Sequence, residues 1–348
     1  MFKLTDDPQY CFDDILLVPQ HSDIKSRRDV SLKMNIGNGS ELGLPIIAAP
    51  MDTVCEKDMA IEMAKNSGLG IIHRFMPFKQ QLKMVSKAAL SNSGYYAVGA
   101  AIGAKGNVEE ETYKLICAGA TVILIDTANG HSEYAIDAVK RVKHVAGGLV
   151  HIMAGNVSTA NGFINLAAAG ANSVRVGIGG GSVCTTRVVS GHGMPTLASV
   201  MAVKDAKARL GLDVGIIADG GIRSTGDMVK AFAGGADAVM LGSMLAGTDE
   251  SPGSVEIDSS GKYKSFRGMA SKEANEGKDI AIAEGVATRV PYKGKVSDVL
   301  NTIKGGLGSG CSYSGVSSLK DLHDDAMFIE VSAMTMNESK PHALRNGI

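Results

Sequence analysis

Eight short apolar runs recur along this chain at intervals of roughly 25 residues, most of them separated by stretches long enough for a helix. The runs are Leu44–Ala49, Leu69–His73, Tyr96–Ile102, Thr121–Asp126, Leu149–Ala154, Asn172–Gly177, Val214–Ala218 and Asp237–Gly242. Between them lie Glu56–Ser67, Val108–Ala118, Ser132–His144, Thr159–Ala168, Leu197–Leu210 and Thr225–Phe232. Strand then helix, eight times over, predicts a closed parallel barrel of the α/β class, a (β/α)8 or TIM barrel. In that architecture the loops after the strands gather on one face and build the active site, so the same pattern predicts where chemistry lies.

The 348 residues fit one barrel domain with additions at its ends and after its last strand. Residues 1–43 precede the first run and hold a short apolar segment, Ile15–Pro19, and a basic patch, Lys25–Arg28. They read as an N-terminal arm packed on the barrel. An insertion, 248–290, follows the eighth run. Its first part, Val255–Phe266 around Ser259-Ser260-Gly261, predicts a β-hairpin. Its second part, Ala270–Ala283, is polar, contains Gly277 and reads as a mobile flap. A helix over Lys295–Gly305 resumes the barrel, and the polar tail after Met336 is expected to be disordered when alone.

Composition removes several functional classes. A net charge of −1 leaves no electrostatic case for nucleic acid. No apolar run approaches a membrane span, and Met1–Asp7 lacks the apolar core of a secretory signal. The five cysteines are odd in number, widely spaced and without a Cys-x-x-Cys pair, which fits reduced thiols and a cytoplasmic setting better than disulfides or zinc.

The run ends are rich in reactive groups. The strongest local signal is Gly177-Ile-Gly-Gly-Gly-Ser-Val-Cys-Thr-Thr-Arg187. Glycines let successive N–H groups converge on an anion, and a cysteine held among oriented donors is a candidate nucleophile. A lone cysteine is more often a buried small hydrophobe, but the place of Cys184 at the functional end of a strand reverses that preference. Asp219-Gly220-Gly221 and Gly242-Ser243 end the seventh and eighth runs, where barrels of this type often bind phosphate. A capped tight turn is the plainer reading of Asp-Gly; two adjacent strands ending in compatible chemistry favour a ligand. Asp126 and His73 are weaker candidates, since a strand-end Asp can cap the next helix and an isolated His is usually packed or solvated. Met51 would offer a thioether to a flat ring, though core packing is its ordinary role. No dinucleotide fingerprint in a two-layer unit, no His-Glu-x-x-His and no nucleophile elbow is present.

Taken together, Phe12-Asp-Asp-Ile-Leu-Leu-Val-Pro19, Ala49-Pro-Met-Asp-Thr-Val54, Ala154-Gly-Asn-Val157, Gly181-Ser-Val-Cys-Thr-Thr-Arg187, Ala218-Asp-Gly-Gly-Ile222, Val239-Met-Leu-Gly-Ser243, Arg267-Gly-Met269 and Glu284-Gly285 resemble the motifs of the IMP dehydrogenase/GMP reductase family along almost the whole chain. The resemblance implies that Cys184 attacks C2 of a purine nucleotide and that Thr186 and Glu284 handle protons. It implies that Ser182, Asp219, Gly221, Gly242 and Ser243 hold ribose and phosphate, that Met51, Gly268 and Met269 bracket the base, and that Gly220 and Arg267 also bind the substrate. Asp126, Asn156 and Arg175 would lie near a nicotinamide cofactor, NADPH or NAD. The resemblance further implies that carbonyls of Gly179, Gly181 and Cys184 could hold potassium, completed by Glu338 of a neighbouring subunit, and members of the family are typically homotetramers.

The family runs two chemistries through one covalent intermediate. The dehydrogenase oxidises IMP with NAD and hydrolyses the intermediate to XMP; the reductase releases ammonia from GMP and reduces the intermediate with NADPH. The dehydrogenase usually carries a regulatory nucleotide-binding pair after its second strand. Here only residues 74–95 lie between His73 and Tyr96. The dehydrogenase also needs an Arg-Tyr pair in its flap to activate water, and residues 270–284 contain neither Arg nor Tyr. Ser26-Arg-Arg-Asp-Val30 is reductase-like as well. Against these, Ile222–Asp227, Thr248–Pro252, Val290–Gly294 and Glu338–His342 read more like the dehydrogenase, the flap is shorter than in either, and Gly180 replaces the Pro or Ser often found in the cysteine loop. The missing pair bears on mechanism and weighs most, so a GMP reductase is expected, with an IMP dehydrogenase or a catalytically degenerate purine-nucleotide-binding protein as alternatives.

Overall fold

The computed structural model describes residues 8–91, 97–275 and 282–339. Its centre is a closed barrel of eight parallel strands. These are β1 (Ile46–Ala48), β2 (Leu69–Ile72), β3 (Val98–Ile102), β4 (Val122–Asp126), β5 (His151–Val157), β6 (Ser173–Val176), β7 (Gly215–Asp219) and β8 (Ala238–Leu241). Each pairs with its sequence neighbours, and β8 closes on β1 in the register Val239 to Ile46. All eight strands fall within or across the expected runs. The largest shift is at β5, which starts at His151 and runs on to Val157, while Leu149 stands 77% exposed outside it.

Alternation along the strands builds two cores. Ile47, Leu69, Ile71, Leu124, Met153, Ile217 and Met240 point inward and fill the barrel. Their neighbours, such as Ile46, Ile72, Ile123, Ile125 and Ile216, point outward under the helices. Side chains of successive strand residues face opposite sides, so both faces of every strand are buried. The helices as far as Tyr313 are α1 (Lys57–Lys65), α2 (Phe78–Ser91), α3 (Val108–Cys117), α4 (Glu133–Ala146), α5 (Ala160–Ala169), the short α6 (Thr186–Ser190), α7 (Thr196–Leu210), α8 (Thr225–Ala233) and α9 (Val296–Tyr313).

Residues 34–42 cover the end of the barrel where the strands begin. Met34–Asn35 and Glu41–Leu42 pair as a small hairpin, and Ile36 and Leu42 join the inner core. The fit is close: a Cβ on Gly215 would lie 1.9 Å from the Ile36 carbonyl oxygen. The arm does pack on the barrel. Its strand Ile15–Leu17 also pairs antiparallel with Phe328–Glu330, a partner more than 300 positions away.

The insertion contains the expected hairpin, β9 (Glu256–Asp258) and β10 (Gly261–Arg267). A third strand, β11 (Ala287–Pro291), pairs along β10 and returns the chain to the barrel. The flap expected over 270–283 lies partly outside the described residues; its described start holds a turn of 3-10 helix at Glu273–Asn275. The tail after Met336 begins within a short helix, Thr335–Glu338, and residues 340–348 lie outside the described residues. The last barrel helix corrects the expectation of an end at Gly305. It continues to Tyr313 because its glycines are contact points: a Cβ on Gly306 would strike Thr225, on Gly308 the Arg27 carbonyl and on Gly310 Val229. Close packing offsets the helix-weakening effect of glycine.

Candidate active site

The ends of the barrel strands and the root of the insertion enclose a cavity of about 610 Å³. This is within the size range of small-molecule sites. Cys184, Thr186 and Glu284 all line it, as do Met51, Ser182, Asp219, Gly220 and Gly221. So do Gly242, Ser243, Gly268 and Met269, together with Asp126, Asn156, Arg175, Gly179 and Gly181.

The loop after β6 positions the cysteine. Gly177 has a φ of +141°, and a Cβ there would sit 2.0 Å from the Asp219 carbonyl oxygen, so only glycine lets this loop lie against the end of β7. The Cys184 N–H donates to the Gly181 carbonyl at 3.1 Å. Cys184 also forms a bridge with Gly285 from the far side of the flap. Thr185 N–H donates to the Glu284 carbonyl and Val286 N–H to the Val183 carbonyl, each at 3.0 Å. The flap root and the cysteine loop are therefore hydrogen-bonded as a miniature sheet.

That pairing aligns three side chains. The Cys184 thiol donates to Thr186 Oγ1 at 3.2 Å, and the Thr186 hydroxyl donates to Glu284 Oε2 at 2.8 Å. Sulfur, hydroxyl and carboxylate form a path along which a proton can travel between the nucleophile and a base facing the same cavity.

A second network spans the barrel mouth. Arg175, 7% exposed, donates Nη1 to Asp126 Oδ1 at 2.7 Å and Nη2 to Asp219 Oδ2 at 2.9 Å. Asn156 Nδ2 donates to the same Asp219 oxygen at 2.7 Å and to the Gly177 carbonyl at 2.8 Å. Burial works against the Arg175 charge, and the two carboxylates more than offset it, so its pKa is raised. The three residues expected beside a cofactor and the Asp expected to hold ribose thus form one rigid unit.

Arg267 stands apart from the other expected site residues. It does not line the cavity; its guanidinium grips Asp52, with Nη2 2.6 Å and Nε 3.0 Å from Oδ2. It braces the loop after β1 against the root of the flap, where the Asp52 N–H also meets Met269 Sδ at 3.3 Å. His73 has the packed role that an isolated histidine usually takes. It is 1% exposed, with Nε2 3.3 Å from Glu56 and Nδ1 accepting the Phe75 N–H at 3.1 Å.

Among the cavity residues that the sequence did not single out are Arg74 and Phe75, which follow the second run directly. Arg74 donates Nε to Asp126 Oδ2 at 3.2 Å, and its guanidinium lies 4.6 Å from the centre of the Phe75 ring. The strand-end rule that singled out His73 would have found them one step further along. Among the described residues, no group of three or more His, Cys, Asp or Glu side chains is placed to hold a metal ion. No helix among them is long and apolar enough to cross a membrane.

Residues 9–342 match the model of the IMP dehydrogenase / GMP reductase domain. Inosine-5'-monophosphate dehydrogenase of Borreliella burgdorferi is 35% identical over 392 aligned positions, covering 95% of this chain and 96% of that protein. The dehydrogenase of the same name from Nitrosopumilus maritimus is 32% identical over 468 positions, covering 95% and 97%. GMP reductase of Leishmania major is 31% identical over 474 positions, covering 95% and 96%. All three alignments exceed the 348 residues of this chain, so each relative carries segments with no counterpart here. The excess is greatest for a protein named reductase and least for one named dehydrogenase. The length of the extra segments therefore does not separate the two activities. Fold, site and similarity agree at the level of the family: this chain belongs to the IMP dehydrogenase/GMP reductase family of purine nucleotide oxidoreductases.

Proposed function

We propose that this chain is a GMP reductase, converting GMP to IMP and ammonia with NADPH as reductant. The observation that carries the reading is the Cys184–Thr186–Glu284 path on the cavity wall, combined with a flap segment, 270–284, that has no Arg or Tyr to activate water. Cys184 loses its proton along the path to Glu284, and the thiolate adds to C2 of the purine. The same path returns a proton to the 2-amino group, which leaves as ammonia and gives a thioimidate. Reduced nicotinamide supplies the hydride that C2 then requires, after which the thiolate departs and IMP is released. No step needs an activated water.

The residues present fit both ligands. The Gly220-Gly221 turn and Gly242-Ser243 offer backbone donors suited to a phosphate, and Asp219 is oriented by Asn156 and Arg175 to accept from ribose hydroxyls. Met51 and Met269 supply apolar surface for the base. On the side of Asp126, the Arg74–Phe75 pair presents a flat cationic face suited to a ring and its ribose phosphate.

Oxidation of IMP with NAD is the second reading, favoured by dehydrogenase-like stretches such as Val290–Gly294 and by the names of two of the relatives above. Both readings are tested by incubating the purified protein with GMP plus NADPH and, separately, with IMP plus NAD, following absorbance of the reduced cofactor. Loss of absorbance in the first mixture is expected. A rise in the second without loss in the first overturns the reductase reading. Nucleotide binding without change in either identifies a degenerate binding protein.

A further inference from the structure

The loop after β8, residues 242–251, is held from outside the cavity by two ammonium groups, one from within the insertion and one from just past its end. Lys264 on β10 is 3% exposed and donates Nζ to the carbonyls of Thr248 at 2.9 Å and Ser251 at 2.6 Å. Lys293, just past β11, donates Nζ to the carbonyls of Ser243 at 2.6 Å and Met244 at 3.1 Å. The Lys293 N–H also bonds the Gly247 carbonyl at 2.9 Å.

The two lysines differ in electrostatic setting. Lys264 has the carboxylates of Asp249 and Glu250 nearby. Lys293 is half withdrawn from water and makes no ion pair among the described residues, and burial pushes its pKa down. A charge in that position is left uncompensated and is stabilised when an anion arrives. The nearest part of the cavity wall is the loop that Lys293 holds. The N–H groups of Ser243 and Met244 donate to no atom among the described residues, and neither do those of Gly220 and Gly221 on the adjacent strand end. A carbonyl that accepts from an ammonium polarises its own peptide, so the Met244 N–H at the other end of the Ser243 peptide becomes a stronger donor.

We propose that Lys293 is a positioning residue for the phosphate of the substrate: through the Ser243 and Met244 carbonyls it fixes the N–H groups that meet the anion and places a positive charge behind them. This rests on the purine nucleotide reading of the cavity. It assigns to a residue outside the cavity wall the discrimination between a nucleoside monophosphate and its nucleoside.

The test is calorimetric titration of the full chain with GMP and with guanosine, each affinity expressed as a ratio. Lys293→Met and Lys293→Gln, the second keeping a donor but no charge, are each expected to weaken GMP about tenfold, the size of one charge-assisted interaction, while guanosine affinity stays put. Lys264→Met serves as the structural control; it is expected to lower the melting temperature and leave the ratio unchanged. Equal weakening of GMP and guanosine in both Lys293 variants, no weakening of either, or the same change of ratio in Lys264→Met would each overturn the proposal. If the unaltered protein binds neither GMP nor IMP, the nucleotide reading itself fails, and Lys293 with it.

Discussion

The Arg175 network makes a quantitative demand on stability. Its guanidinium is 9% exposed, and the two carboxylates it joins, Asp126 and Asp219, are 16% and 17% exposed. Arg175→Met removes three donors at 2.7, 2.9 and 3.2 Å and leaves both acids in place. Removing one partner of a buried ion pair costs about 3–5 kcal/mol. Two partners survive, Arg74 at 3.2 Å from Asp126 and Asn156 at 2.7 Å from Asp219, which puts the expected loss at the lower end, about 3 kcal/mol. Asp126→Asn removes one of the stranded charges. The double variant Asp126→Asn/Arg175→Met should therefore lose less than the two single losses combined, by about 1 kcal/mol or more. Urea unfolding of the four proteins at pH 7, followed by circular dichroism, measures the cycle. Strict additivity would refute the idea that the arginine is held by mutual charge and would reduce it to a packing residue. The loss reaches function too, because Asp219 is the group expected to meet ribose.

Three further outcomes follow from the geometry. Cys184→Ala should abolish turnover while calorimetry still detects nucleotide binding; residual turnover above background would remove the covalent step. Glu284→Gln can still accept from Thr186 but cannot take a proton, so kcat should fall on the order of a hundredfold with nucleotide affinity nearly unchanged, and an unchanged rate would take Glu284 out of proton transfer. His151 lies 7% exposed between the hydroxyls of Ser40 at 3.0 Å and Ser173 at 2.7 Å, and burial pushes its imidazole down to about 4. The folded state thus binds its proton less readily than the unfolded state, whose histidine titrates near the usual value of about 6.5. Its stability contribution is full above that value and is lost as pH falls toward 4, by up to about 3 kcal/mol. His151→Gln should flatten this part of the urea midpoint-against-pH curve, and an identical slope in the variant would count against the assignment.

Much of this molecule is legible in the sequence because its periodicities are local. Each strand is a short apolar run, and each run end is a place where a barrel puts chemistry, so Cys184, Asp219 and Ser243 could be singled out from position and residue type. Contacts between distant segments were not legible in that way. Nothing in Ile15–Leu17 announces Phe328–Glu330 as its partner, and nothing in Ala287–Pro291 announces a third strand beside Gly261–Arg267. Glycine misled in one place: at 305–310 it reads as a helix stop, yet there it permits close approach to α8 and the arm. Arg267 was expected at the substrate beside Gly268 and Met269, and in the fold its guanidinium pairs with Asp52.

The small hairpin at residues 34–42 has a consequence for traffic. With Ile36 and Leu42 wedged into the inner core and the Ile36 carbonyl seated against Gly215, the barrel is stoppered at its floor. Whatever reaches the reactive sulfur must come and go through the mouth. Under the two-ligand reading proposed above, both molecules would approach from that same end.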